Sequence, residues 1–112
     1  MTSKKYKTFK EFYPFYLTEH SDTTCRGLHF VGTTLFFIFL ILGIATLRWE
    51  YFVLMPVAGY GFAWVGHFFF EKNKPATFQY PLYSLGSDFV MYWHTITGQL
   101  PEKMRRAKEL IA

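Results

Sequence analysis

Two long stretches of the chain carry no charge. Residues 27–47 run 21 positions without Asp, Glu, Lys or Arg, and residues 51–70 run a further 20. At about 1.5 Å of rise per helical residue, each reaches roughly 30 Å, the thickness of a bilayer's hydrocarbon core. Two transmembrane helices over 27–47 and 51–70 are therefore predicted. Only Arg48, Trp49 and Glu50 separate them, which demands a tight antiparallel hairpin. Gly59 and Ala63 form a small-xxx-small pair suited to close helix approach, and Pro56 predicts a mild bend. The first run starts too far into the chain for a cleavable signal peptide. No small-residue cleavage site follows a short apolar core, so both runs are expected in the mature protein.

The flanks have a different pattern. Thr8 and Glu11 fit a capping box, and Phe9, Phe12, Tyr13, Tyr16 and His20 follow at helical spacing. With Lys4, Lys5, Lys7 and Lys10 nearby, this reads as an amphipathic helix lying on an anionic membrane surface, bent or shortened at Pro14. Ser21, Asp22, Thr23 and Thr24 then offer N-cap residues and predict a break before the first span. Residues 81–100 are apolar but interrupted by Asp88, so they are read as a re-entrant or third helical segment. The tail over 102–112 is a short basic amphipathic helix with Lys103, Arg105, Arg106 and Lys108. The expected fold is all-α: a single small integral membrane bundle over 1–112, with a transmembrane hairpin and flanking interfacial helices.

Composition narrows the function classes. At 112 residues the chain is one domain at most, and 51% hydrophobic with 22% aromatic residues excludes disorder. A single cysteine, Cys25, excludes an internal disulfide framework and a cysteine-based zinc cage. A net charge of +4 fits either nucleic acid or an anionic membrane as partner. The basic residues decide between them. They cluster before the first span, after the second at Lys72 and Lys74, and in the tail, whereas the hairpin turn has only Arg48. That places both termini in the cytoplasm, of a bacterial inner membrane or an endoplasmic reticulum. The partner is the lipid bilayer, with no nucleic acid, and so few spans leave a homo-oligomer open.

The same topology gathers candidate ligands. His20 and His29 lie at the entrance to the first span, and His67 and Glu71 at the exit of the second, so a hairpin puts all four at one membrane face. His67 and Glu71 are i, i+4, neighbours on a helix face. His20 and His29 are nine apart, about 180° apart on one continuous helix, so the break at 21–24 is needed to turn both toward one site. Three imidazoles and a carboxylate suit a first-row metal, iron and zinc equally well. The competing reading makes each histidine an interfacial anchor or packing residue, and Glu71 a surface residue. His94 is read as packing, and Cys25 as inert. Asp88 would hydrogen-bond a ligand histidine, or pair with Arg26 or the basic tail.

Two stretches carry a resemblance. They are His20-Ser21-Asp22-Thr23-Thr24-Cys25-Arg26-Gly27-Leu28-His29 and Trp64-Val65-Gly66-His67-Phe68-Phe69-Phe70-Glu71-Lys72-Asn73-Lys74-Pro75-Ala76. Together they resemble the family typified by the yeast iron-dependent 2-hydroxy fatty acid dioxygenase, from about residue 12 to 97. The resemblance implies a ferrous ion and O2 shortening a 2-hydroxy fatty acid by one carbon, the carboxyl carbon leaving as CO2. It implies His20, His29 and His67 as Fe2+ ligands, and Glu71 as a fourth ligand or a catalytic base. Arg26 or Lys72 would hold the substrate carboxylate, with the acyl tail against Phe30, Phe68, Phe69 and Phe70. His94 falls in no matching motif. The alternative from another class is a non-enzymatic membrane scaffold or lipid-binding protein; a transporter subunit fits less well, because neither span carries a mid-span carboxylate.

Overall fold

The computed structural model describes residues 6–111, all helical and without strands; Lys4 and Lys5 of the basic N-terminal cluster lie outside the described residues. The order is α1 (Phe9–Thr18), α2 (Thr23–Thr46), α3 (Trp49–Val65), a π-helical segment (Gly66–Glu71), a 3-10 turn (Ala76–Phe78), α4 (Pro81–Ile96) and α5 (Leu100–Ile111). Residues 22–73 form one compact unit, and the described residues on either side of them form the other.

The 22–73 unit is the predicted hairpin. Asp22 is its N-cap, with the side chain accepting from Cys25 N–H at 2.9 Å, so the break between α1 and α2 falls where the sequence put it. The turn is tighter than expected. Helix α2 ends on Leu47 in the left-handed conformation (φ 56°), and Arg48 already caps α3. Trp49 and Glu50 belong to the second helix rather than to the linker.

The close approach between the helices is seen at Gly32 of α2, which lies against the α3 backbone at Ala58 and Gly59. A Cβ on Gly32 would lie 3.0 Å from Phe62 Cβ and 3.1 Å from the Ala58 carbonyl oxygen. A Cβ on Gly59 would meet only Phe36, at an ordinary 3.9 Å. Two helices, Thr23–Thr46 and the continuous Trp49–Glu71, are long and apolar enough to cross a membrane. Only 17% of each apolar window is buried within the protein, whereas the core helix of a water-soluble domain is mostly covered. Ile41, Ile44, Val57 and Phe69 are each more than 60% exposed. Such a continuous apolar surface is costly in water and ordinary in lipid.

The other unit packs α1 against α4 and α5. Thr8 caps α1 and accepts from Glu11 N–H, as the capping box predicts. Phe12, Tyr16 and Leu17 are fully buried and meet Tyr80, Met91, Leu100, Met104 and Ala107. Burying each of the large α1 side chains contributes about 1.5–3 kcal/mol. The 81–100 stretch divides. Pro81 starts α4, a position where its missing N–H costs nothing, and Gly98 at φ 76° ends the turn that follows. At 16 residues α4 is about 24 Å long, short of a hydrocarbon core.

Candidate metal centre

Each buried histidine is oriented by a different local device. His29 stands nearly two turns into α2, 5% exposed, and its Nδ1–H donates to the Cys25 carbonyl at 2.9 Å. His67 lies in the π segment, 2% exposed, and its Nδ1–H donates to Asn73 Oδ1 at 2.7 Å. Asn73 also returns its backbone N–H to the His67 carbonyl at 3.0 Å, clamping the end of the segment onto the histidine. The two rings are 4.9 Å apart between centroids and perpendicular at 89°.

The π segment is what the hydrophobic pattern did not reveal. A π turn bonds i to i+5, so the extra residue changes which side chains share a face. Glu71 accepts from the backbone N–H of Asp22, joining the end of the hairpin to its beginning. Gly66 makes the arrangement possible, since a Cβ there would sit 2.9 Å from Cys25 Sγ and 3.2 Å from Cys25 Cα. Cys25 is buried as this packing surface, with its Sγ 3.7 Å from His29 Nδ1.

In the other unit His20, 1% exposed, follows the C-cap of α1. Its Nδ1–H donates to the Tyr16 carbonyl at 2.6 Å, and its ring stacks on Tyr16 at 4.0 Å. The Tyr16 hydroxyl donates to Asp88. Asp88 therefore serves a tyrosine, rather than a histidine nitrogen, Arg26 or a basic tail residue. Burial pushes its carboxyl up to about 7, against the opposing effect of the Tyr16 hydrogen bond. His94 shares a 2.8 Å hydrogen bond with the Tyr13 hydroxyl and stacks obliquely on that ring, as expected of a packing residue. Burial and then the Lys103 charge hold His94 below the usual histidine range, while burial raises the Tyr13 phenol.

Three buried histidines, His20, His29 and His67, could hold a metal ion. Their hydrogen bonds share one chemical consequence. Each ring spends Nδ1–H on an oxygen acceptor, which selects the neutral tautomer with its lone pair on Nε2. Metal-binding histidines are held this way, and such partners are worth roughly 10–100-fold in affinity. Neutral nitrogen donors fit a first-row divalent ion, ferrous iron among them.

Residues 6–100 match the family described as 2-hydroxy-palmitic acid dioxygenase Mpo1-like. The chain belongs to this family. No curated protein and no solved structure matches the chain. The Mpo1-like match spans both histidine-bearing stretches and ends at the start of α5. Within it, Arg26 reaches Thr23 at 3.4 Å near the start of α2, and Lys72 is exposed in the left-handed conformation that ends the π segment. Phe30, Phe68, Phe69 and Phe70 all face outward. Asn73 and the Tyr16 carbonyl went unread as histidine partners. The first sits just past a helix end and the second is backbone, so neither leaves a compositional signal.

Proposed function

We propose that this chain is a membrane-embedded, Fe2+-dependent dioxygenase that converts a 2-hydroxy fatty acid and O2 to the acid one carbon shorter, CO2 and water. The observation that carries it is the matched Nδ1 anchoring of His20, His29 and His67, which makes each a ready Nε2 donor. Covalent geometry supports His20 as a partner of the other two. Only Ser21 separates it from Asp22, so their Cα atoms lie within about 7 Å, and Asp22 N–H is held by Glu71. His20, His29 and His67 would hold a ferrous ion, which would supply redox chemistry toward O2.

The chain's own groups do the rest. Arg26 and Lys72 offer charge-assisted donors to the substrate carboxylate. The exposed phenylalanines beside His67 give the acyl chain an apolar path continuous with lipid. Glu71 positions the site rather than acting as a base, because its carboxylate ties α2 to the π segment. The two apolar helices are uncovered over most of their length, which supports reading them as spans, and the clustering of basic residues supports both termini on the cytoplasmic side.

Anaerobic ferrous loading of the detergent-purified protein tests the reading. Near-stoichiometric iron is expected, lost in His67→Ala, together with O2 uptake stimulated by 2-hydroxypalmitate. A folded protein that takes up no iron, or O2 uptake indifferent to the 2-hydroxyl group, overturns it.

A further inference from the structure

The unit built from α1, α4 and α5 has a cavity of its own, which the dioxygenase chemistry does not use. It measures about 570 Å³, within the range of ligand-binding clefts, and lies between α1 and α5. Phe9, Tyr13, Pro14, Leu17, Ala107 and Leu110 give it an apolar floor. The remaining lining residues are Lys10, Lys103 and Arg106, so every charge on the lining is positive. Glu102, which is not among the lining residues, pairs with Arg106 Nε at 3.4 Å.

An apolar floor under three cations is complementary to one kind of molecule, an amphiphile with an anionic head. We propose that this groove is a binding site for a single anionic phospholipid, its phosphate held by Lys10, Lys103 and Arg106 and one acyl chain laid along the floor. A phosphodiester fits better than a fatty acid carboxylate because its several oxygens can engage three separated cations at once. The lipid also has the higher local concentration, because the same chain carries two helices of membrane-crossing length. The site is independent of the metal, so its failure and the failure of the dioxygenase reading are separable.

Native mass spectrometry of the full chain in mixed micelles tests the proposal, with palmitoyl-oleoyl phosphatidylglycerol, palmitoyl-oleoyl phosphatidylcholine and palmitate as probes. One phosphatidylglycerol per chain is expected, bound about tenfold or more tightly than phosphatidylcholine. The combined K10Q, K103Q and R106Q substitutions reduce that preference to within twofold, with the circular dichroism spectrum unchanged. An equal charge loss outside the groove, through R48Q, K74Q and K108Q, preserves it. Equal binding of the two phospholipids overturns the site, as does equal loss of preference in both triple variants. Displacement of phosphatidylglycerol by stoichiometric palmitate overturns the phospholipid assignment in favour of a free fatty acid.

Discussion

Replacing Gly66 by alanine adds one methyl group where the hairpin is most crowded. The new Cβ would lie 2.9 Å from Cys25 Sγ and 3.2 Å from Cys25 Cα, where carbon contacts are comfortable at about 3.5–4.0 Å. Sulfur could swing away, but Cα is backbone and carries α2 with it. Relief thus requires the π segment and α2 to separate by roughly half an ångström, and His67 is the next residue in the chain. Overpacking of this kind costs about 1–3 kcal/mol. If the strain falls on the metal-bound state, affinity drops about 5- to 150-fold at 1.4 kcal/mol per decade. If it falls equally on both states, affinity holds and thermal stability drops instead. The assay therefore pairs an anaerobic Co2+ titration, read by visible absorption, with a Tm in the same detergent. Cys25→Ala in the Gly66→Ala background removes the 2.9 Å contact but not the 3.2 Å one, so partial recovery is expected. A Gly66→Ala protein with wild-type Tm and wild-type Co2+ affinity would refute the reasoning, because the methyl group would then have space the packing denies it.

Asn73→Ala removes the acceptor that fixes the His67 tautomer, so Co2+ affinity falls roughly 10–100-fold, whereas His94→Ala leaves it unchanged. A loss of metal in both variants would show that binding follows general stability. Gly32→Ala forces a Cβ against the Ala58 and Gly59 carbonyls, whereas Gly43→Ala meets only the far end of the Phe52 side chain, which can swing aside. The first therefore lowers Tm more than the second, and the reverse order would place the close approach elsewhere. Asp88 gives a pH dependence. Its folded carboxyl sits at about 7, above the unfolded value, so the native state binds the extra proton between about pH 4 and 7. Stability then falls as pH rises across that window, by up to about 1.4 kcal/mol per unit, and levels off above it. Asp88→Asn flattens the slope, and an unchanged slope assigns it to another group.

The hairpin was readable because its signal is long. Twenty uncharged residues admit few alternatives, and each bound is a cap or a charge: Asp22 at the start, Arg48 at the turn, Lys72 at the end. The capping box at Thr8 was readable for the same reason, since a side chain three residues from its partner needs no tertiary knowledge. The site was only half legible. The histidines announce themselves by type, and the break at Ser21 and Asp22 follows from residues that favour caps over helix interiors. What orients those histidines is backbone and loop: the Tyr16 and Cys25 carbonyls and the Asn73 amide.

The role of Glu71 shows where the limit lies. On an α-helix, i, i+4 spacing places it beside His67, and a metal-ligating or basic role follows naturally. The sequence alternatives differ by a single residue per turn, α against π, and nothing in the pattern from Gly66 to Glu71 chooses between them. What the pattern lacks is a contact 41 positions away, Cys25 against Gly66, where the lack of a side chain lets the segment settle onto α2. Once it does so, the Glu71 carboxylate meets the Asp22 N–H at the positive end of that helix, a favourable place for an anion. Held there, Glu71 fastens the two histidine-bearing stretches to each other. Glu71→Gln tests this division of roles: it keeps an acceptor for Asp22 N–H but cannot act as a base. Retained O2 uptake in Glu71→Gln, with uptake and Co2+ binding both lost in Glu71→Ala, is the expected pattern. Loss of uptake in Glu71→Gln with Co2+ binding intact would return the residue to the chemistry.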